Sequence, residues 1–388
     1  MSTHVVGVGT SHFGKQPDRT VAELAWEAVL EAMGDAGDET AVRAEIEAVF
    51  VGNVFGEPGV AIRALQGVGL LGLPVVTIES ACASGTAAFH EAVAAVESGR
   101  YRSVLVLGLE HMTSFMRGPI VPQQSDAEGR TGLAMPAMYA LAASRWLAEG
   151  RVTLDQLAAV SVKNHGHAMG NPRAQYRGRY TIEEVLASPM IADPITLLQC
   201  SPVSDGAAAV VVSAEGRDDG RSVTVRASVQ SSGRAWDQDS GHVWGFDLVR
   251  RTSSAAYEAA GIDPTDVDVV EVHDAFTIGE LTTTEALALT PEGQAGAYAA
   301  SGRTALGGDH LVINPSGGLL SRGHPLGATG VAQIAEIVWQ LREEAAERQV
   351  PGARLGLVET MGGGVAGVDG NACVVTVLER PTRTGGPT

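Results

Sequence analysis

The sequence predicts an α/β fold made from one unit used twice. Apolar strand-like runs alternate with Ala-rich amphipathic stretches along the 388 residues, the pattern of helices layered on a sheet. A turn feeding a buried strand occurs at Asp205-Gly206-Ala207-Ala208 with Ala209 to Val212 following. It recurs 164 residues later at Asp369-Gly370-Asn371-Ala372 with Cys373 to Thr376 following. An earlier pair also matches, the strand-like runs 46–55 and 267–276, each preceded by an Ala-rich helix ending near Gly34 or Gly261. Forty-eight glycines supply the tight turns that such short connections need.

The second pair is 221 residues apart rather than 164, so the first half carries about 57 extra residues. They belong within 113–198, after the apolar strand Ser103-Val104-Leu105-Val106-Leu107-Gly108. That stretch contains helical patterns at 138–149 and 153–165 and then a polar loop with Pro and Gly. A long insertion at a strand end usually serves function. The organisation expected is a half at 1–218 carrying the insertion, a half at 219–380, and a disordered tail at 381–388.

Composition excludes several classes. Hydrophobic residues make up 45% and charged residues 19%, as in an ordinary globular enzyme. A net charge of −18 argues against a nucleic-acid partner, which needs a cationic surface. No apolar run reaches the ~18 residues of a membrane span, and the start, Met1-Ser2-Thr3-His4-Val5-Val6, lacks a secretory pattern. The three cysteines, 82, 200 and 373, show no metal spacing and are odd in number. A reducing cytoplasm and no disulfide framework or metal are therefore expected.

Cys82 stands in Glu79-Ser80-Ala81-Cys82-Ala83-Ser84-Gly85-Thr86, between the strand-like Pro74-Val75-Val76-Thr77-Ile78 and a helical pattern over 85–98 stopped by Gly99. There the free N–H groups of a helix start favour a thiolate, the nucleophilic form. The alternative is a small buried hydrophobe, the usual fate of a lone cysteine. A second block favours the chemical reading. Asn314-Pro315-Ser316-Gly317-Gly318 leads to Gly323-His324-Pro325-Leu326-Gly327-Ala328-Thr329-Gly330 and a helix over 331–343. Its glycines allow close backbone approach, and His324 can take a proton from a thiol near neutral pH. The competing view of a helix-capping loop with an incidental histidine leaves eight specified positions unexplained.

Together these blocks resemble the thiolase superfamily, over about residues 4–380. Val272-His273-Asp274-Ala275-Phe276-Thr277, Ser204-Asp205-Gly206-Ala207-Ala208 and Met361-Gly362-Gly363-Gly364 also match. The His-Asp-Ala-Phe run, with Asn171-Pro172 and Gln175-Tyr176-Arg177, is most similar to sterol-carrier-protein-type and archaeal thiolases. The resemblance implies a duplicated five-layer α-β-α-β-α sandwich. Two mixed sheets would enclose a shared pair of central helices, and the 113–198 insertion would form a loop domain over the acyl-CoA pocket. It implies a homodimer paired through the first-half sheets and a place in lipid metabolism. No cofactor is implied beyond the coenzyme A thioester substrate. His324 would deprotonate Cys82, which attacks the thioester; the N–H groups of Cys82 and Gly364 would hold the oxyanion, and His273 would serve the enolate.

Two departures stand out. Most thiolases carry a second cysteine two residues before the Gly-Gly-Gly run, here Thr360, and sterol-carrier types can carry it in the His-Asp-Cys-Phe run, here Ala275. His273 is then the remaining acid/base, the alternative being a histidine that only bonds water or backbone. Glu359 reads as a strand-end surface residue, Asp274 and Glu110 as loop-holding carboxylates. Lys163, Arg173, Arg177 and Arg179 form a candidate basic patch for the anionic coenzyme, with a solvated loop as the equal alternative.

The leading function is formation or cleavage of a carbon–carbon bond in a 3-ketoacyl-CoA through an acyl-cysteine. One alternative is non-Claisen acyl transfer or retro-aldol cleavage of a CoA ester beside a small OB-fold partner. Another is a non-catalytic scaffold, which would need neither Cys82 nor His324.

Overall fold

The computed structural model describes residues 2–217, 219–237, 239–363 and 367–380; Gly364 and the 381–388 tail lie outside them. Twelve strands are described: β1 (Thr3–Thr10), β2 (Ala48–Gly52), β3 (Val75–Ile78), β4 (Ser103–His111), β5 (Met190–Ala192), β6 (Ile195–Thr196), β7 (Asp205–Ser213), β8 (Val223–Ser232), β9 (Val269–Glu271), β10 (Val312–Ile313), β11 (Leu355–Gly362) and β12 (Ala372–Glu379). All but the β5–β6 pair join one sheet, in the order β10-β9-β11-β12-β8-β1-β7-β4-β2-β3.

The duplication is visible in that order. Counted along the chain, each half places its five strands as third, second, fourth, fifth, first. The pairings match as well. β2 lies parallel to β3 and β4 as β9 does to β10 and β11, while the β4–β7 and β11–β12 pairs are both antiparallel. The two expected sheets are hydrogen-bonded edge to edge into one ten-stranded sheet, whose halves form the two β layers. β1 and β8 are the end strands of their halves, and they pair antiparallel through Thr3–Val225, His4–Thr224 and Val5–Val223. Each thereby covers the other's open edge.

Layering follows from which faces are apolar. The helices Ser84–Glu97 and Leu326–Arg342 pack on each other and on strands of both halves. Helix Val21–Ala36 covers β1 and β7 from outside, and Phe246–Ala260 covers β8 and β12. The result is the five-layer sandwich. The Leu326–Arg342 helix is buried nearly all round, as a central element must be. Its polar members are paired within: Gln333 donates to Val272 O, and Glu336 holds Arg348 at 2.9 Å.

That helix begins at Leu326, five residues before the sequence suggested. The glycines that read as loop are contact residues inside the helix. A Cβ on Gly327 would sit 2.5 Å from Leu109 O and 2.6 Å from Gly52 O, and one on Gly330 would be 2.5 Å from Thr86 Cγ2. Their absence lets the helix rest directly on the sheet and on its partner helix.

The insertion joins β4 to β7. It carries helices Met135–Ala148 and Leu154–Ala168, close to the expected pieces, with the shorter Ala127–Thr131 and Ile182–Ala187 and the β5–β6 hairpin. The corresponding β11–β12 connection is short.

Candidate active site

Cys82 lies in the turn between β3 and the helix Ser84–Glu97. Ala81 takes φ +49°, a left-handed conformation that side chains disfavour. Ser84 holds it there. Its Oγ accepts the Ser80 N–H at 2.9 Å and donates to Ala81 O at 2.6 Å. The turn aims Cys82 into a cavity of about 490 Å³ whose wall also includes His273, His324 and Gly363.

His324 sits just before the N-terminus of the Leu326–Arg342 helix. Its N–H donates to Ser204 Oγ at 3.1 Å, so the Ser204 motif of the first half anchors a histidine of the second. Its Nδ1 is 2.7 Å from Thr329 Oγ1, and that hydroxyl donates to Pro325 O at 3.0 Å. With its own hydrogen directed at Pro325 O, that hydroxyl is an acceptor for Nδ1–H, which favours the Nδ1–H tautomer. Nε2 is left with its lone pair, and it has no partner among the described residues. His273 follows β9, and its N–H donates to Glu359 Oε2 at 3.0 Å. Its Nδ1 is also buried and has no partner among the described residues. The two rings meet edge-on, centroids 5.1 Å apart, and one ligating atom from each of Cys82, His273 and His324 lies within 4.8 Å of the others.

The site is neutral at rest. Burial pushes the Cys82 thiol up to about 12, with the Gly363 and Cys82 N–H groups pulling it back and Glu110 and Glu79 adding to the rise. Burial drives His273 down to about 3. His324 falls well below its ordinary range through burial, His273 and Arg322. The helix start is expected to favour a thiolate; desolvation outweighs that effect, so the thiol needs a base, the part that the resemblance assigns to His324.

Glu359 is a second correction. It is fully buried on β11, not at the surface, and burial raises it to about 7 against the pull of the His273 N–H and Cys373. An alternating strand inside a two-sided sheet has no solvent face. Thr360 donates to Gln333 Oε1 at 2.8 Å and is buried away from the cavity. Asp274 accepts the Leu319 N–H at 2.7 Å, and Glu110 accepts the N–H groups of Val54, Phe55 and Gly327. Both hold loops.

The basic patch does not assemble. Lys163 is buried with Glu280 at 3.0 Å and donates to Ile313 O. Arg173 binds Glu31 and Thr10. Both cations are already paired, Lys163 inside the fold and Arg173 at a half-buried position. Arg177 and Arg179 are exposed and flank Tyr176 and Tyr180, which line the cavity. The sequence reading missed Lys15, the one Lys or Arg among the described lining residues, and gave no role to Tyr139, Met135 or Cys200, which also face the cavity. Met135 and Tyr139 are four apart on one helix, a spacing that marks a shared face.

Family models decide what this site belongs to. The model described as "Thiolase, N-terminal domain" matches residues 3–216, and "Thiolase C-terminal domain-like" matches 227–376. The chain belongs to the thiolase superfamily. It is a thiolase-type acyltransferase, and its curated relatives agree. It is 40% identical to acetyl-CoA acetyltransferase of Methanothermobacter thermautotrophicus, over 92% of this chain and 96% of that one. It is 36% identical to sterol carrier protein 2 of Bos taurus, over 97% and 72%. Benzoylsuccinyl-CoA thiolase subunit BbsB of Thauera aromatica is also 36% identical, over 93% and 94%. Among solved structures, the Ltp2-ChsH2(DUF35) aldolase superposes with a TM-score of 0.83 at 25% identity, covering 98% of each chain. Human mitochondrial 3-ketoacyl-CoA thiolase shares the fold, with a TM-score of 0.72 at 19% identity over 98% and 99%.

Proposed function

We propose that the protein makes or cleaves the carbon–carbon bond of a 3-ketoacyl-CoA through an acyl-Cys82 intermediate. The observation that carries this is the buried Nε2 of His324, unpartnered among the described residues, in a ring that brings a nitrogen within 4.8 Å of the Cys82 sulfur. As Sγ attacks the thioester carbonyl, its proton passes to His324 Nε2, and the coenzyme A thiolate leaves and is reprotonated. Because thiol and imidazole are both neutral at rest, proton transfer accompanies carbon–sulfur bond formation rather than preceding it. The Cys82 N–H, with Gly364 as a second donor by resemblance, faces the developing oxyanion. His273 then serves the carbon–carbon step, the place of the absent second thiol.

Lys15 at the cavity wall is the cation best placed for the anionic end of coenzyme A, joined by Arg177 and Arg179 at the rim. Residues 1–218 and 219–380 are the two halves of this catalytic unit. A homodimer fits β3, an outer strand of the sheet with Val76 42% exposed. No helix of the described residues is long and apolar enough to cross a membrane, consistent with a proposed cytoplasmic place in lipid metabolism. Incubation with acetoacetyl-CoA and free coenzyme A should yield acetyl-CoA; acetoacetyl-CoA recovered unchanged at micromolar enzyme would remove this reading.

A second reading rests on the aldolase superposition: retro-aldol cleavage of a CoA ester with a small partner of the DUF35 type. It predicts release of an aldehyde or ketone without consumption of free coenzyme A.

A further inference from the structure

Cys82, His273 and His324 have a property that acyl transfer does not require. We infer that this trio is a binding site for a thiophilic divalent cation such as Zn²⁺, and that the bound cation shuts the nucleophile off. It rests on the geometry of the cluster and not on which acyl reaction the enzyme performs.

The donor set suits such an ion, since one thiolate and two imidazoles are borderline-soft ligands of the kind zinc selects. The spacing suits it too. Three atoms no more than 4.8 Å apart share a point within about 2.8 Å of each, against metal bonds of about 2.3 Å to sulfur and 2.0 Å to nitrogen. Side-chain rotations of well under an ångström close that gap. Each imidazole also has a buried nitrogen that no hydrogen bond among the described residues occupies. His273 Nδ1 and His324 Nε2 belong to rings exposed by only 2% and 5%, and neither atom has a hydrogen-bond partner among the described residues.

The surroundings complete the arrangement. Thr329 Oγ1 lies 2.7 Å from His324 Nδ1 and favours the tautomer that leaves Nε2 with a lone pair, the role that outer hydrogen bonds play at zinc-binding histidines. Binding deprotonates the thiol: one S–H bond breaks, one metal–sulfur bond forms, and one proton is released per cation. The fourth position faces the cavity, where water or substrate can approach.

Metal-free wild-type protein titrated with Co²⁺ alone tests this. The expected result is one equivalent bound, tetrahedral visible bands, a near-ultraviolet thiolate-to-cobalt band and release of one proton. The thiolate band should vanish in Cys82→Ala and persist in Cys373→Ala. His273→Asn should weaken binding at least about tenfold. A measurement on wild-type protein alone removes dependence on variant folding: Zn²⁺ should slow iodoacetamide alkylation of Cys82, and chelation should restore it. A thiolate band retained in Cys82→Ala, a cobalt spectrum showing only octahedral surface sites, or alkylation unaffected by Zn²⁺ would each overturn the inference.

Discussion

Thr329 Oγ1 lies 2.7 Å from Nδ1 of His324, five residues earlier in the chain, and its own hydrogen is directed at Pro325 O. A threonine thus sets which nitrogen of the histidine is a base. Thr329→Val keeps the shape and deletes the acceptor, so both tautomers become available. The acylation rate should fall about ten- to hundredfold while thermal stability changes little; stopped-flow acylation beside a melting curve checks both.

His273 and His324 should separate by step. His273→Asn is expected to slow carbon–carbon bond formation or cleavage about a hundredfold or more and leave Cys82 acylation nearly intact. Single-turnover acylation and steady-state thiolysis measured on the same preparation distinguish this from loss of pocket shape, which would depress both equally.

How much of this was legible in the sequence depends on what kind of constraint each residue carries. Cys82 and His324 stood out because strand, turn and glycine chemistry surround them locally, whereas His273 came through the family resemblance. The repeat offsets pointed to one unit used twice, and the two halves do share one strand order. The thiol's raised pKa was not legible, since it comes from burial by both halves at once. Glu359 looked like a strand end, because nothing in Val358-Glu359-Thr360 reveals that the sheet is covered on both faces. Lys163 and Arg173 looked like a patch because their neutralising partners, Glu280 and Glu31, are over a hundred residues away. The glycines at 327 and 330 read as loop, although only the three-dimensional contact with Gly52, Leu109 and Thr86 explains them.

The neutral histidines fix the pH dependence. An ordinary histidine would lose its base form as pH falls through 6.5, but His324 is held well below that value. The rate of Cys82 acylation at pH 5.5 should therefore stay within about twofold of that at pH 7.5. A sigmoid loss centred near 6.5 would show a solvated His324.

Glu359 gives stability its own pH slope. Its carboxyl is raised from 4.5 to about 7 in the folded protein. Between those values the unfolded chain releases a proton that the folded one keeps, so stability falls as pH rises through this window and levels off above it. Glu359→Gln retains an acceptor for the His273 N–H and removes the charge. It should raise stability at pH 8 by on the order of 1–3 kcal/mol and leave it nearly unchanged at pH 4.5, as denaturant midpoints at the two pH values will show.

Lys15 should matter for binding rather than chemistry. Lys15→Ala is expected to raise KM for acetyl-CoA several-fold, about what one partly solvated charge contact contributes, with kcat little changed.

The account turns on a covalent bond between an acyl group and Cys82, so intact-protein mass spectrometry after brief incubation with acetyl-CoA tests it most directly. Wild-type protein should gain the mass of one acetyl group, mapped to the peptide containing Cys82, and Cys82→Ala should gain none. A wild-type protein that stays unmodified while free coenzyme A accumulates, or a Cys82→Ala variant that is acetylated to the same extent, would contradict it.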